Sequence, residues 1–309
     1  MNINNEKESS TSLDQDIDNY DETINEPQFL LQIVGLTQAT VIHYPSYTLP
    51  EPVVLDLYSS ELNDIILGYS PSGDCDGILT PSTEVYVMKS LTTGAHAHAQ
   101  DNTTTTPHVQ CSHNVFLAIV NEIYRQEHHE QIMCVYPKIA NEIVENAIEK
   151  NYIYILQNVK QLKRHVPIAL LDKVNSNFDF CGICDDDVPF LMKVTNVTDA
   201  KYKGSEETDE YESKVAYYPG RNTIESAERM KMLTDLITIK RESIIRGILC
   251  FVIERTDVEY FQINANDQVY TNLIKEALAV GIVIITIMVN WNTDGVAYFI
   301  KDDTPILDF

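Results

Sequence analysis

The sequence is poor in basic residues, and its first part almost lacks them. Of the 309 residues, 22 are Lys or Arg and 46 are Asp or Glu, so the formal net charge is −24 at pH 7. Before Arg125 only Lys7 and Lys89 are basic, against 17 acidic residues. Because affinity for nucleic acid rests largely on cationic side chains that neutralise phosphates, this part cannot form a basic groove. Any nucleic-acid surface must come from residues after Arg125.

The sequence also lacks the features of a membrane or secreted protein. The apolar run within residues 281–289 is far shorter than the ~20 residues that a membrane span needs. The N-terminus is polar and acidic, unlike a signal peptide. Six cysteines are scattered along the chain, and in this context reduced thiols are expected. We therefore expect a cytoplasmic or nuclear protein that is not secreted and does not bind membranes.

Composition divides the chain into three parts. Residues 1–27 are rich in Asn, Ser, Asp and Glu and are expected to be a disordered acidic tail. Short β-favouring runs separated by Pro- and Gly-bearing turns indicate a small barrel or sandwich over residues 28–134. A low-complexity loop, residues 92–107, interrupts it. Residues 135–309 alternate helical and strand patterns, which is typical of an α/β layer.

Helices are predicted from apolar spacing and from capping residues. The spacing predicts helices over residues 113–130 and 138–150. Asn222 begins a capping-box pattern for a further helix. Asp267 is predicted to cap another helix, which Gly281 ends.

Two predicted strands in the second part carry the candidate site. Residues 176–180 and 193–198 favour strands, and the acidic residues 185–187 lie between them in a predicted turn. Asp179 falls within the first strand. A carboxylate on one strand beside charged residues on its neighbour is the arrangement of PD-(D/E)xK nucleases, which hold a divalent cation there. Residues 247–254 and 282–289 are continuous apolar runs that predict buried strands.

The order of several short motifs over residues 29–305 resembles the sugar fermentation stimulation protein (SfsA) family. The motifs that carry the resemblance are His43-Tyr-Pro-Ser46, Leu79-Thr-Pro-Ser-Thr-Glu-Val85, Ala140-Asn-Glu-Ile-Val-Glu-Asn-Ala-Ile148, Ser176-Asn-Phe-Asp-Phe180, Val194-Thr-Asn-Val-Thr198 and Tyr217-Tyr-Pro219. No single motif is specific, but their shared order is informative. The resemblance implies an α+β or α/β chain, in which an OB-like β-barrel (residues 28–134) precedes a restriction-endonuclease-like, PD-(D/E)xK mixed-sheet domain (residues 135–309).

The resemblance implies a degenerate site. Asp179 occupies the family's first acidic position, but Lys193 falls where the family has an acid and Thr195 falls where it has the lysine. An alternative register places Leu191 at the acid and Lys193 at the lysine. Glu145, on the helix predicted over residues 138–150, could point toward the site. One carboxylate binds a hard cation weakly, and the lysine is needed to polarise the attacking water, so we expect no metal; if one binds, Asp179 holds it.

These residues predict a non-catalytic protein that acts as a binding or scaffold module. The acidity of the first part favours a protein partner, and nucleic acid could bind through residues 135–309. The alternative is a Mg²⁺-dependent nuclease with migrated carboxylates, for which residues 185–187 are candidates. We expect no cofactor for a binding or scaffold module, whereas the nuclease would use Mg²⁺.

Three other groups carry chemistry-bearing residues. The set His96, His98, His108, Cys111 and His113 has zinc-binding residue types but matches no standard zinc module. Cys181 and Cys184 form a lone CxxC, for which buried structural thiols are the favoured interpretation. The only candidate phosphate-facing surface combines Lys160, Lys163 and Arg164 with Arg229, Lys231, Lys240, Arg241 and Arg246, although interspersed acids favour a mixed solvated face.

Overall fold

A computed structural model describes residues 27–72, 75, 77–90, 111–124, 127–169, 175–203, 213–219, 224–239 and 245–308. The predicted tail up to residue 26, the low-complexity loop and the Asn222 cap lie outside these residues. The described residues form the following strands and helices: β1 (Gln28–Gln32), β2 (Thr37–His43), β3 (Val54–Ser59), β4 (Asp64–Tyr69), β5 (Glu84–Lys89), β6 (His113–Tyr124), β7 (Glu127–Cys134), α1 (Ile139–Glu149), β8 (Lys160–Ala169), β9 (Asn175–Ile183), β10 (Pro189–Val197), β11 (Ala200–Lys203), β12 (Ser213–Tyr218), α2 (Ile224–Ile239), β13 (Arg246–Ile253), β14 (Tyr260–Ile263), α3 (Gln268–Ala279), β15 (Val283–Trp291) and β16 (Val296–Lys301).

The first part of the chain closes into a five-stranded barrel. Its strands follow the order β4-β3-β2-β5-β6, and β6 returns to pair with β4. The closing pair is parallel, with Gly68 opposite His113, whereas the other pairs are antiparallel. This is the pairing of an OB-like barrel, so the predicted barrel is confirmed. Strand β7 extends the sheet beyond β6. Alternate residues such as Val41, Leu57 and Val85 fill the interior.

The second part is built on a mixed seven-stranded sheet of order β1-β16-β15-β13-β10-β9-β8. Strands β10, β13 and β15 are parallel, and the outer pairs are antiparallel. Strand β1 was predicted to begin the barrel, but it pairs with β16 at the edge of this sheet instead. A smaller sheet contains β11, β12 and β14. None of the helices formed by the described residues is both long enough and apolar enough to cross a membrane.

Helices cover both faces of the seven-stranded sheet and define two cores. The α1-side core includes Ile143 of α1 together with Phe180 and Met192 of the sheet. The α2–α3-side core includes Leu233 of α2 and Ile274 of α3. Residues of β10 alternate between the two: Phe190 and Met192 face α1, whereas Leu191 and Val197 face α2 and α3. The buried, near-continuous apolar sequences of β13 and β15 follow from this two-sided covering.

The helix predicted over residues 113–130 is wrong, because this segment forms strands β6 and β7. Val115 through Ile119 are buried without interruption. When both faces of a strand are buried, apolar residues also fall at helical spacing, so the period does not distinguish the two structures.

Two other helix predictions are confirmed. Helix α1 occupies the predicted segment, residues 138–150, within one residue at each end. At α3 the side chain of Asp267 accepts a hydrogen bond from the backbone N–H of Tyr270 at 2.9 Å, which satisfies a free donor of the first turn. The chain then leaves the helix through Gly281, whose φ of +90° is strained for other residues.

A buried charge network joins the barrel to the second part. Lys214 of β12 donates to Glu122 of β6 and, at 2.5 Å, to Asp257. Arg255 donates to Asp257 at 2.6 and 2.7 Å and to Glu122 at 3.0 Å. Burial alone would raise the pKa of Glu122, but the hydrogen bonds from Lys214 and Arg255 hold it below its ordinary value. Two cations and two carboxylates therefore neutralise each other where the two parts meet.

Candidate functional site

Asp179 lies where strand β9 changes the face that it presents. The pairing of β9 with β10 runs from Ile183 to Phe180, and Asp179 comes next in the chain. Phe180 packs in the α1-side core, whereas Phe178 packs in the α2–α3-side core. Regular alternation would put both on one face, so the strand is irregular at Asp179. Its Oδ2 accepts a hydrogen bond from the backbone N–H of Val194 at 2.9 Å. The carboxylate thus bonds the backbone of the neighbouring strand.

Lys193 lies beside this carboxylate. Its Nζ is 3.8 Å from Asp179 Oδ2, and the two side chains are 10% and 15% exposed, respectively. The ammonium also lies 5.4 Å from the ring centre of Phe178. Largely buried, the pair is screened by water much less than a surface pair would be. The ammonium therefore occupies the space beside Asp179 that a second carboxylate would need.

Among the residues that the structure describes, no second carboxylate is found in contact with Asp179. Thr195 is half-buried and follows Lys193 on the same face of β10, between Leu191 and Val197 of the α2–α3-side core. On the next strand, burial raises the pKa of the Cys250 thiol, and the negative charge of Asp179 raises it further. Cys250 is therefore a neutral thiol at physiological pH. The structure brings Lys193 beside Asp179, and Thr195 lies two residues further along β10.

Glu145 is not part of this group. Its Oε2 lies 3.0 Å from Nη1 of Arg164, and both side chains are about 30% exposed. The Arg164 guanidinium lies 5.8 Å from the ring centre of Phe180, on the α1 side of the sheet. The structure therefore places Glu145 in an ion pair with Arg164, on the face opposite Lys193.

The acidic residues 185–187 also lie apart from Asp179. Their turn follows Ile183, about 13 Å along β9 from Asp179 at ~3.3 Å per residue. Asp187 pairs with Lys160 at 3.1 Å, and Asp186 pairs with Arg246 at 2.9 Å. The backbone N–H of Val188 and the Arg246 guanidinium hold the pKa of Asp186 below its ordinary value. The contacts of Asp186 and Asp187 are therefore made at the turn itself, and these carboxylates do not contact Asp179.

This set of residues does not fit a divalent metal. Hard cations such as Mg²⁺ require several oxygen ligands, and within the described ranges Asp179 supplies one carboxylate, which lies beside the Lys193 ammonium. Throughout the described part of the chain, no group of three or more His, Cys, Asp or Glu side chains is arranged to hold a metal ion. The described residues around Asp179 therefore do not provide the oxygen ligands that metal-dependent chemistry would need.

The zinc-type and thiol candidates are only partly described. His96, His98 and His108 lie outside the described residues. Burial raises the pKa of Cys111 to about 11 and lowers the pKa of His113, to which Lys89 also contributes. Cys181 and Cys184 are free thiols whose pKa values are raised by burial.

Sequence reasoning missed a buried carboxyl group at the end of β13. Glu254 has 0% exposure, and its Oε2 accepts a hydrogen bond from the indole N–H of Trp291 at 2.6 Å. Burial raises the pKa of Glu254 to about 8, although the Trp291 hydrogen bond lowers it. Its Oε1 and the Oδ1 of Asn196 are buried acceptors that have no hydrogen-bond partner among the described residues. A glutamate that ends a fully apolar strand was the available signal.

A second missed group anchors the loop between β2 and β3. Asp56, 3% exposed, accepts hydrogen bonds from Ser46 Oγ at 2.5 Å and from the backbone N–H of Tyr47 at 2.8 Å. Nδ1 of His43 lies 3.3 Å from the same carboxylate, and its ring stacks on Tyr47. Burial acts to raise the pKa of Asp56, but these hydrogen bonds hold it below its ordinary value. The motif His43 to Ser46 is therefore a carboxylate-anchored loop.

Fold and site together define a class: an OB-like barrel joined to a mixed-sheet unit, with a single carboxylate where two of its strands separate. A family model described as "Sugar fermentation stimulation protein RE domain" matches residues 138–295, just over half of the chain. The chain therefore belongs to the sugar fermentation stimulation protein (SfsA) family.

The relatives are distant. The chain is 24% identical over 178 residues to the sugar fermentation stimulation protein homolog of Pseudoalteromonas translucida, a match that covers 57% of this chain and 68% of that protein. The Nostoc punctiforme homolog is 22% identical over 238 residues, covering 76% and 83% of the two chains. Pyrococcus furiosus SfsA, solved in complex with Ca²⁺, superposes with a TM-score of 0.65 at 14% identity, over 91% of this chain and all of that one. This last similarity establishes a shared fold.

Proposed function

We propose that this chain is a non-catalytic member of its family that acts as a binding or scaffold module. The observation that carries the proposal is the ammonium of Lys193, 3.8 Å from the carboxylate of Asp179. A cation-binding nuclease needs a second acid at this place, and a fixed positive charge there repels a divalent cation.

We further propose that the second part has a degenerate PD-(D/E)xK fold. Three features support this: helix α1 precedes the antiparallel strands β9 and β10, helix α2 follows, and β13 then pairs in parallel with β10. Asp179 lies where β9 becomes irregular beside β10, which suits a carboxylate that once faced a metal. Lys193 and Thr195 then stand at the positions of the family's acid and lysine.

The Pyrococcus furiosus relative was solved in complex with Ca²⁺, and Ca²⁺ takes six to eight oxygen ligands. In this chain the Asp179 oxygen nearest Lys193 already accepts a hydrogen bond from Val194. A cation at this place would have to displace the ammonium and compete with that hydrogen bond. We infer that the second acid has been lost, and that the ammonium of Lys193 now supplies the positive charge that a bound metal ion would have supplied beside Asp179.

A protein partner suits the charge distribution. Before Arg125 only Lys7 and Lys89 are basic, so the barrel would repel the phosphates of nucleic acid. A partner with a basic surface would be attracted to it. Nucleic acid remains a candidate partner only for residues 135–309. If it binds there, the affinity of the chain for nucleic acid should fall steeply as the salt concentration rises. A gel shift that is absent, or that does not respond to salt, would remove nucleic acid and leave the protein partner.

The catalytic question is answered by a cleavage assay. Purified chain is incubated with duplex DNA, single-stranded DNA and RNA in Mg²⁺ or Mn²⁺, beside the Asp179→Ala variant prepared identically. The proposal expects equal background cleavage from both proteins. Metal-dependent cleavage that Asp179→Ala abolishes would overturn the proposal and establish the alternative, a nuclease with ligands recruited from elsewhere.

A further inference from the structure

An apolar cavity lies at one corner of the seven-stranded sheet, and its lining residues Cys181 and Leu191 are two residues from Asp179 and Lys193 along their strands. Its volume is about 300 Å³, and its lining includes Leu191 of β10, Ile183 of β9, Leu236 of α2 and Ile245. This volume is at the lower end of the range for small-molecule sites. The cavity is therefore large enough for one small ligand and too small for a folded partner.

The cavity arises because α2 covers only part of the sheet. The helix packs on β10 and β13. It comes closest at Gly247, where an added Cβ would lie 2.9 Å from Cγ1 of Ile237. The strands β9 and β8 lie farther toward the edge of the sheet, beyond β10. The cavity is the space between the helix and these outer strands, and its lining residues other than Ile245 lie on strands or on α2.

One cation stands at the mouth of the cavity. Lys163 of β8 lies directly opposite Cys181 of β9, and Cys181 lies opposite Leu191 of β10. These three side chains follow one line across the sheet, from the exposed lysine through the half-buried cysteine to the buried leucine. Among the described residues that line the cavity, Lys163 is the one charged side chain. The cavity therefore pairs an apolar interior with a positive rim.

We propose that this cavity binds a small amphiphilic carboxylate, with its apolar tail between α2 and the sheet and its carboxylate at Lys163. The interior offers the tail a mostly apolar surface, and the exposed ammonium gives the carboxylate a partner without removing it from water. A cationic amphiphile of the same length would meet Lys163 with like charge. The proposal is independent of the state of the Asp179 site.

The reactivity of the Cys181 thiol can show directly whether the cavity is occupied. None of the six cysteines forms a disulfide; five of them are buried, and Cys181 is half-buried. Because Cys181 lines the cavity, a bound tail would cover its sulfur. Decanoate should therefore slow the alkylation of Cys181 by iodoacetamide, and peptide mass spectrometry would locate the label.

The test compares three probes that share one tail: decanoate, decanol and decyltrimethylammonium. Calorimetry should show decanoate binding at millimolar or lower concentration with a stoichiometry of one, and decyltrimethylammonium binding more weakly. Lys163→Gln should weaken decanoate about five-fold, the size of an exposed ion pair, and leave decanol unchanged. The matched control Lys275→Gln, on the exposed face of α3, should change neither.

Two variants separate the cavity from non-specific binding. Cys181→Phe, which fills the space from a half-buried position, should abolish binding of decanoate and decanol together. Its circular dichroism and urea midpoint show whether the variant is folded, and Cys181→Ser provides a second variant that should retain binding. The proposal is overturned if decanoate does not protect Cys181 at millimolar concentration. It is also overturned if Lys163→Gln binds all three probes as the natural chain does.

Discussion

Glu254 makes the stability of this chain depend on pH in an unusual direction. The carboxyl group is fully buried and accepts one hydrogen bond, from Trp291 at 2.6 Å. Its other oxygen, Oε1, has no hydrogen-bond partner within the part of the chain that the structure describes. Burial raises its pKa from 4.5 to about 8 despite the Trp291 hydrogen bond. In the folded chain Glu254 is therefore protonated at neutral pH, whereas in the unfolded chain it is ionised.

The sign and size of the effect follow from proton linkage. Between pH 4.5 and about 8 the folded state holds a proton that the unfolded state releases. The free energy of unfolding therefore falls as pH rises, by about 1.4 kcal/mol per pH unit for one proton. The contribution is fully present below pH 4.5 and is lost as pH reaches the folded pKa. Over the whole window the loss is on the order of 4 kcal/mol.

The substitution Glu254→Gln removes the titratable carboxyl group. The glutamine side chain keeps a similar shape and an oxygen that can accept the hydrogen bond from Trp291. Urea unfolding across this pH window should show the natural chain losing stability relative to the variant at each step upward. The control Glu276→Gln, on the exposed face of α3, should keep the slope of the natural chain. Equal slopes for the natural chain and Glu254→Gln would refute the assignment of a protonated Glu254.

Fluorescence gives a second measure of the same proton, because Trp291 is the only tryptophan in the chain. Ionisation of the carboxyl group beside the indole should change the emission with a midpoint near pH 8. The change should be absent in Glu254→Gln. A midpoint near the ordinary glutamate pKa would contradict the account.

Two further substitutions test contacts that hold the fold. Lys214→Met leaves Glu122 and Asp257 with Arg255 as their remaining partner and should lower the free energy of unfolding by about 3 kcal/mol or more, since it breaks a buried network. Asp267→Ala removes the α3 cap and should cost about 1 kcal/mol. Urea unfolding measures both.

Matched surface changes serve as controls for these two. Lys160→Met removes an ion pair with Asp187 in which both side chains are more than half exposed, so it should leave the free energy of unfolding almost unchanged. If Lys214→Met costs no more than Lys160→Met, the network does not stabilise the junction between the two parts. Asp185→Ala, in an exposed turn, is the control for Asp267→Ala.

Much of the fold could be predicted because local signals agreed with it. Asp267 and Gly281 bound α3 through short-range hydrogen bonding and backbone conformation, and the apolar runs of β13 and β15 have no alternative to burial. The strands of residues 113–134 could not be told from a helix, because burial on both faces removes the alternation that marks a strand. Strand β1 was assigned to the barrel because its partner β16 lies at the other end of the sequence.

The site was only partly predictable for the same reason. Asp179 and Lys193 lie on two neighbouring strands, so the predicted hairpin was enough to place them side by side. Glu145 was a candidate because its helix could be predicted while its orientation could not. Its ion pair with Arg164 depends on which face of the sheet α1 covers. The pairing of Glu254 with Trp291 joins distant segments, and no local pattern reports it.

The most direct test of the central claim is calorimetry of Mn²⁺ binding to the natural chain, to Lys193→Glu and to Lys193→Glu combined with Asp179→Ala. Restoring an acid 3.8 Å or so from Asp179 removes the repelling charge and supplies a second carboxylate. The account predicts that Lys193→Glu binds Mn²⁺ far more tightly than the natural chain, and that Asp179→Ala abolishes the gain. Mn²⁺ binding by the natural chain that Asp179→Ala eliminates would contradict it.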